Sequence, residues 1–196
     1  IIAGQGTIGL ELLEEAVKRF PVHAGLREAL ARCYAIMLRH SDAAAQLEKL
    51  LAFAAHYMPA WRLLADMHER MGEPEKAEAV LRRALARNPL DHSSYHALVD
   101  SLLARGKLDD ADKALAEGCV KLPSVMNLHE RRISICLQRG ETAKAEKLAR
   151  KLAKDFHDGA YAQLVLARAL GELPTASRAE IEAQYRKAME LNGELW

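Results

Sequence analysis

"MPAWRLLADMHERMGEPEKAEAVLRRALARNPLD", residues 58–91, decides the fold once it is set above "HSSYHALVDSLLARGKLDDADKALAEGCVKLPSV", residues 92–125. Trp61 falls on Tyr95, Leu64 on Leu98, Gly72 on Gly106, Ala77 on Ala111 and Pro89 on Pro123, each pair 34 positions apart. A fixed period of this size marks a repeat array, in which one unit cannot bury its apolar face until a neighbour stacks on it. The register continues downstream through Gly140 and Ala145 and upstream through Ala43, so 24–57, 58–91, 92–125 and 126–159 share it.

Each block reads as two amphipathic helices joined by a short turn. "AWRLLADMHERM" and "KAEAVLRRALAR" both carry apolar residues at three- and four-residue spacing. Gly72, Gly106 and Gly140 suit the left-handed residue that closes a helix. Pro89 and Pro123 stop the second helix by withholding a donor and restricting the residue before them. Ala77, Ala111 and Ala145 fall where two helices would cross closely, and a larger side chain there should force them apart.

A period of 34 carrying Trp, Leu, Gly, Ala and Pro in this order resembles the tetratricopeptide repeat. Residues 58–91 match it best, through Trp61, Leu64, Gly72, Ala77, Ala84 and Pro89. The resemblance implies an all-α fold, a right-handed α-solenoid of stacked helix-turn-helix units, as one array over 1–196. Arg132 departs from it, standing where Leu64 and Leu98 suggest an apolar residue, and Ala55 and His157 replace the proline. Those units are expected to be distorted there. Residues 160–196 fit if the turn "GELPTAS" is about two residues longer, which puts Ile181, Tyr185 and Ala188 at the places of Ala77, Leu81 and Ala84, with Thr175 or Ser177 as helix cap.

The opening "IIAGQGTIGLELLEE" holds Gly4, Gly6 and Gly9 in the GxGxxG spacing of a dinucleotide fingerprint. It also resembles a segment of the threonine dehydratase and serine racemase family of pyridoxal-phosphate enzymes. A dinucleotide site needs a preceding strand, and only two β-branched residues come before Gly4. The pyridoxal-phosphate likeness ends after about 15 residues and brings neither a Schiff-base lysine motif nor a glycine-rich phosphate loop, so it reads as coincidence. Laying residues 4–21 on 72–89 explains the stretch instead: Gly4 meets Gly72, Gly9 meets Ala77, Leu13 meets Leu81 and Pro21 meets Pro89. Residues 1–21 then make a partial repeat, with "IIA" as the tail of a first helix and the glycines as the turn. No cofactor is expected. A chain that lacks an initiator Met and opens inside a repeat reads as part of something longer, with any targeting signal upstream.

Composition excludes several classes of function. The formal charge of +1 makes no electrostatic case for nucleic acid or an anionic membrane, and 5% aromatic residues leave few base-stacking platforms. No apolar run approaches the roughly 20 residues that cross a bilayer, so membrane insertion is not expected. Cys33, Cys119 and Cys136 are odd in number and lack CxxC spacing, which reads as buried free thiols and leans towards a reducing, cytoplasmic setting. The alanine- and arginine-rich style is of bacterial type.

Catalytic and metal chemistry find little support. His92, His96 and Asp100 are spaced by four along one helical face, where two histidines can chelate a metal, yet a solvated or partner-facing polar row explains them better. His68-Glu69 and His129-Glu130 lack the second histidine of HExxH, and no GxSxG, Walker loop or paired carboxylate motif occurs. No metal site and no enzyme are expected. Lys147, Arg150, Lys151 and Lys154 form a basic stripe opposite Ala145, Leu148, Leu152 and Phe156, the pattern of a solvated outer helix face.

In tetratricopeptide proteins the first helix of each unit lines a concave groove that holds a peptide or a partner helix. Carried over by register, that groove is lined here by Glu28, Arg32, Arg62, Asp66, Glu69, His96, Asp100, Glu130, Ser134 and Arg168. Co-chaperone members clamp a C-terminal carboxylate with Lys and Asn at the sites held here by Arg62 and Asp66, or by His96 and Asp100. The aspartates would repel that carboxylate, so a partner carrying both charges, or a basic segment, fits better. The expected function is a non-catalytic scaffold that binds a protein or peptide. The alternative is the recruiting domain of a larger enzyme of glycosyltransferase or sulfotransferase type.

Overall fold

A computed structural model describes residues 2–191 and 193, and every regular element among them is an α-helix. They are α1 (Ile2–Arg19), α2 (Ala24–Ile36), α3 (His40–Phe53), α4 (Met58–Arg70), α5 (Pro74–Arg87), α6 (His92–Ala104), α7 (Leu108–Lys121), α8 (Met126–Gln138), α9 (Thr142–Asp155), α10 (Ala160–Gly171) and α11 (Arg178–Leu191). The first helices of the hairpins, α2, α4, α6, α8 and α10, start 34 residues apart, and so do the second helices α3, α5, α7 and α9. α11 starts 36 residues after α9, because the turn before it is two residues longer. Ser177 caps it, its Oγ accepting the Glu180 amide at 3.2 Å.

The chain gathers into two compact units, one ending at Gly106 and the other beginning at Lys107. In the first, hairpins α2–α3 and α4–α5 stack on each other, flanked by α1 and α6. Leu30, Leu47, Leu50, Leu64, Leu81, Tyr95 and Leu98 are almost wholly withdrawn from water there. In the second, α8, α9 and α10 close over Ile133, Cys136, Leu152, Val165, Leu166 and Leu170, with Ile181 of α11 against them. Each leucine so buried contributes about 1.5 to 3 kcal/mol of transfer free energy. The alanines at the crossing register, Ala43, Ala77, Ala111 and Ala145, have no exposed surface at all. No helix among the described residues is long and apolar enough to cross a membrane.

Gly72, Gly106 and Gly140 close their helices with φ of 73°, 68° and 72°, the left-handed region that suits glycine. Behind Gly72 the Glu73 amide reaches back to the His68 carbonyl at 2.9 Å, which satisfies a carbonyl the helix end would otherwise orphan. Leu38 fills the same register in the earliest hairpin with φ 59° and the matching bond from Arg39 to Tyr34.

Three sequence expectations need correction. α1 runs unbroken from Ile2 to Arg19, so Gly4 and Gly6 lie inside a helix rather than in a turn. Glycine permits a turn without requiring one, so the helical ladder runs through both positions and satisfies their amides. Nothing lies within 4 Å of the Cβ position at Gly9, which therefore stands at no close crossing. The units holding Arg132, Ala55 and His157 are also undistorted, since α8, α3 and α9 keep the lengths of their counterparts. Arg132 is accommodated because Asp112 of α7 meets its Nε at 2.8 Å. α3 and α9 end in register without proline because their exit residues Ala54 and Phe156 leave helical geometry by themselves.

Candidate functional site

Two clefts open between neighbouring first helices, one in each unit. The cleft of the first unit, about 330 Å³, lies between α4 and α6. Arg62, Asp66 and Glu69 reach it from α4 and Asp100 from α6, over Ala65, Ala97, Ala104 and the buried Leu81. The cleft of the second unit, about 260 Å³, lies between α8 and α10 and takes Glu130, Ser134, Arg168 and Glu172 over Ile133, Leu137 and Val165. The two are one site repeated: Arg62, Asp66, Ala97 and Asp100 correspond to Glu130, Ser134, Val165 and Arg168, each 68 residues on.

Helical spacing places these side chains. Arg62, Asp66 and Glu69 are four and three residues apart, so they share one face of α4 while Trp61, Leu64 and Ala65 turn into the core. The small side chains make the hollow. Ala97 and Ala104 stand beside acidic and polar neighbours on α6, and a larger residue at either would fill the space.

The polar groups are already partly engaged. Arg62 Nη1 lies 3.1 Å from Asp91 Oδ2, the carboxylate that caps α6, and Asp66 accepts from Arg70 Nε at 2.9 Å. Glu69 accepts a hydrogen bond from the Ser101 hydroxyl. The lining residues thus include three carboxylates and one guanidinium, which is turned to a fourth carboxylate, while Arg70 pairs Asp66 from outside the lining. In the second cleft Glu130 accepts from Tyr161 at 2.5 Å and from Arg168 Nη1 at 2.9 Å. The bond to Glu130 holds the Tyr161 hydroxyl above the ordinary phenol range. Carboxylates thus outnumber cations in the lining of the first cleft, and an internal ion pair joins the two sides of the second.

The other sequence candidates fall outside both clefts. Arg32 pairs with Glu28 on α2 at 2.6 Å, and Tyr57 donates to the same Glu28. His92 and His96 meet edge to face with ring centroids 6.1 Å apart, and among the described residues no three metal-ligating side chains gather. Lys147, Arg150, Lys151 and Lys154 are exposed on α9, where Arg150 bridges Glu146 and Glu180. All three cysteines are free, with Cys119 and Cys136 buried and Cys33 half-buried. Burial pushes the Cys119 thiol up to about 11, far from a nucleophile's range. Ser101, Ala65, Ala97 and Ala104 escaped the reading of the sequence. The signal for Ala104 was present, since a small residue four after Asp100 shares its face.

Two family profiles described as tetratricopeptide repeat match the sequence, over residues 58–101 and 96–160. No curated protein matches it. Among solved structures, that of MamA protein is similar at 15% identity and TM-score 0.57, over 87% of this chain and 92% of that one. YrrB, described as a TPR protein with an unusual peptide-binding site, is similar at 12% identity and TM-score 0.55, over 95% of both chains. A tetratricopeptide repeat protein from Parabacteroides merdae follows at 15% identity and TM-score 0.53, over 95% of this chain and 79% of that one. At such identities the likeness is one of fold.

Proposed function

The chain belongs to the tetratricopeptide-repeat family, whose fold in general serves protein interaction, and on that premise we propose that it is a non-catalytic adaptor holding a partner peptide along its first-helix groove. The observation that carries this reading is the α4–α6 cleft, with an apolar floor and an acidic rim at the register where the family binds its partners. A basic side chain of an extended segment suits it, since its alkyl stem can lie on Ala65, Ala97 and Ala104 while its charge meets Asp66 and Glu69. A partner's terminal carboxylate would face like charge there.

Affinity capture with the full chain, followed by mass spectrometry, tests the reading when wild type is compared with an Asp66→Lys/Asp100→Lys double variant. Binding of a basic segment should weaken, because losing one member of an interfacial charge pair costs roughly 2 to 5 kcal/mol. Helix content should stay as it is, since both positions are at the surface. The control is Lys147→Glu/Lys151→Glu on α9. If that reversal abolishes capture while the groove variant binds normally, the groove is not the site.

A further inference from the structure

Three more clefts repeat on the side of the hairpins away from the first-helix groove, where a second helix meets the hairpin that follows it. One of about 410 Å³ lies among α1, α2 and α3, one of about 320 Å³ among α3, α4 and α5, and one of about 250 Å³ among α7, α8 and α9. Their linings correspond position by position: Val17, Leu51 and Cys119 on the floor, and Lys49, Arg83 and Lys151 on the rim, are separated by one and then two periods. A cation stands at the same rim register in all three. The intervening repeat places Glu117 there, which confines a continuous row to α3 and α5 of the first unit.

Charge in that unit is distributed unevenly. Arg32, Arg39, Arg62, Arg70, Arg82 and Arg105 each lie against a carboxylate. Around the two clefts the pattern reverses. Among the described residues Lys18, Lys49, Arg83 and Arg87 are in no ion pair, and Arg83 instead covers the Trp61 ring at 5.1 Å from its centroid. Of the two carboxylates present, Glu14 is occupied by the Tyr34 hydroxyl at 2.6 Å, which leaves Glu48. The first-helix cleft of the same unit is acidic, so its two faces carry opposite signs.

We propose that the α3–α5 face of the first unit is a second docking surface, one that takes an acidic protein segment whose Asp or Glu side chains alternate with apolar ones. The carboxylates meet Lys49, Arg83 and Arg87, and the apolar side chains enter the hollows floored by Val17, Leu30, Leu51 and Leu64. Four unpaired cations are solvated at little cost until such a segment arrives, and pairing them there gains charge-assisted bonds without breaking internal ones. This surface is independent of the first-helix groove, and the two select partners of opposite charge.

The test is fluorescence anisotropy of labelled synthetic peptides with the full chain at low ionic strength. The probes are an acidic peptide alternating Glu with Leu and Phe, its Glu/Gly counterpart of equal charge, and a Lys/Leu peptide. The Glu/Leu/Phe peptide should bind, the Glu/Gly peptide more weakly, and Lys49→Glu/Arg83→Glu should weaken the former roughly tenfold or more. Asp66→Lys/Asp100→Lys should leave that binding intact, which separates this surface from the groove. Equal binding of both acidic peptides would mean bulk attraction without cleft docking and would overturn the proposal, as would indifference to the Lys49/Arg83 reversal. Retention of single-stranded RNA or anionic vesicles through Lys49 and Arg83, without acidic peptide binding, would overturn it in favour of those ligands.

Discussion

Trp61 Nε1 donates to the Ala55 carbonyl at 2.8 Å, and three other first helices make the same bond with different chemistry. Arg27 Nε reaches Pro21 at 2.7 Å, His129 Nε2 reaches Pro123 at 3.0 Å and Gln163 Nε2 reaches His157 at 3.2 Å, in each case to the carbonyl six residues upstream. That carbonyl sits just past the end of the preceding second helix, where no intrahelical donor is left for it. One N–H on the following helix ties consecutive hairpins together.

Removing the N–H while keeping an aromatic ring tests the tie. Trp61→Phe should lower stability by about 1 to 3 kcal/mol, because a partly buried acceptor loses its partner and the smaller ring fills less of the site. A denaturant midpoint unchanged from wild type would mean that water replaces the indole without loss.

Leu38 offers a stabilising counterpart. It is exposed and held at φ 59°, where a side chain crowds its own backbone, while Gly72 occupies the same register at φ 73° without that penalty. Leu38→Gly should therefore raise stability by about 1 kcal/mol, and Gly72→Ala should lower it by a similar amount. Nothing lies within 4 Å of the Cβ position at Gly72, so the second effect is purely conformational. Paired thermal melts read both signs, and a Leu38→Gly chain less stable than wild type would contradict the argument.

The hairpins were legible because a 34-residue period displays itself through identical letters: Gly72 and Gly106, Ala77 and Ala111. The carbonyl tie was not, since Arg27, Trp61, His129 and Gln163 share one N–H and nothing else that a letter shows. Register alone also misled at Gly4. Glycine allows a turn without imposing one, and the helical ladder of α1 runs straight through Gly4. The first-helix cleft was half legible: Arg62, Asp66, Glu69 and Asp100 came from the register of the repeat it resembles, whereas the hollow depends on the small Ala97 and Ala104 of the facing helix. Periodicity places polar side chains on a face, but the space between two helices is set by both.

Ala77 tests the packing that the period predicts. It has no exposed surface, and the same is true of Ala43, one period earlier. Ala77→Phe should cost about 1 to 3 kcal/mol by forcing α4 and α5 apart. Since units of a repeat array depend on their neighbours, the melt should also broaden before all helix signal is gone. Full tolerance of phenylalanine, read by circular dichroism, would show that these helices do not cross closely.

Asp112 gives the second unit a defined response to acid. Its side chain is mostly buried on α7, with Arg132 Nε at 2.8 Å and Lys144 Nζ at 2.7 Å. Burial alone would raise its pKa, but the hydrogen bonds from Lys144 and Arg132 outweigh that effect and hold the carboxyl below its ordinary range. A carboxylate whose folded pKa is depressed stabilises the fold above its unfolded pKa, about 3.9 for aspartate, and loses that contribution as pH falls through the lower folded value. Asp112→Asn keeps the size and removes the charge. Near neutral pH it should cost about 1 to 3 kcal/mol, because Arg132 is left half-buried without its counter-charge. Below the folded pKa the wild-type carboxyl is itself neutral, so the two proteins should converge. Other carboxylates titrate in the same window, but they do so in both proteins, and the difference between the two unfolding midpoints isolates Asp112. A difference that stays constant from neutral pH down into the acid range would show that the Arg132–Asp112–Lys144 bonds stabilise without regard to charge.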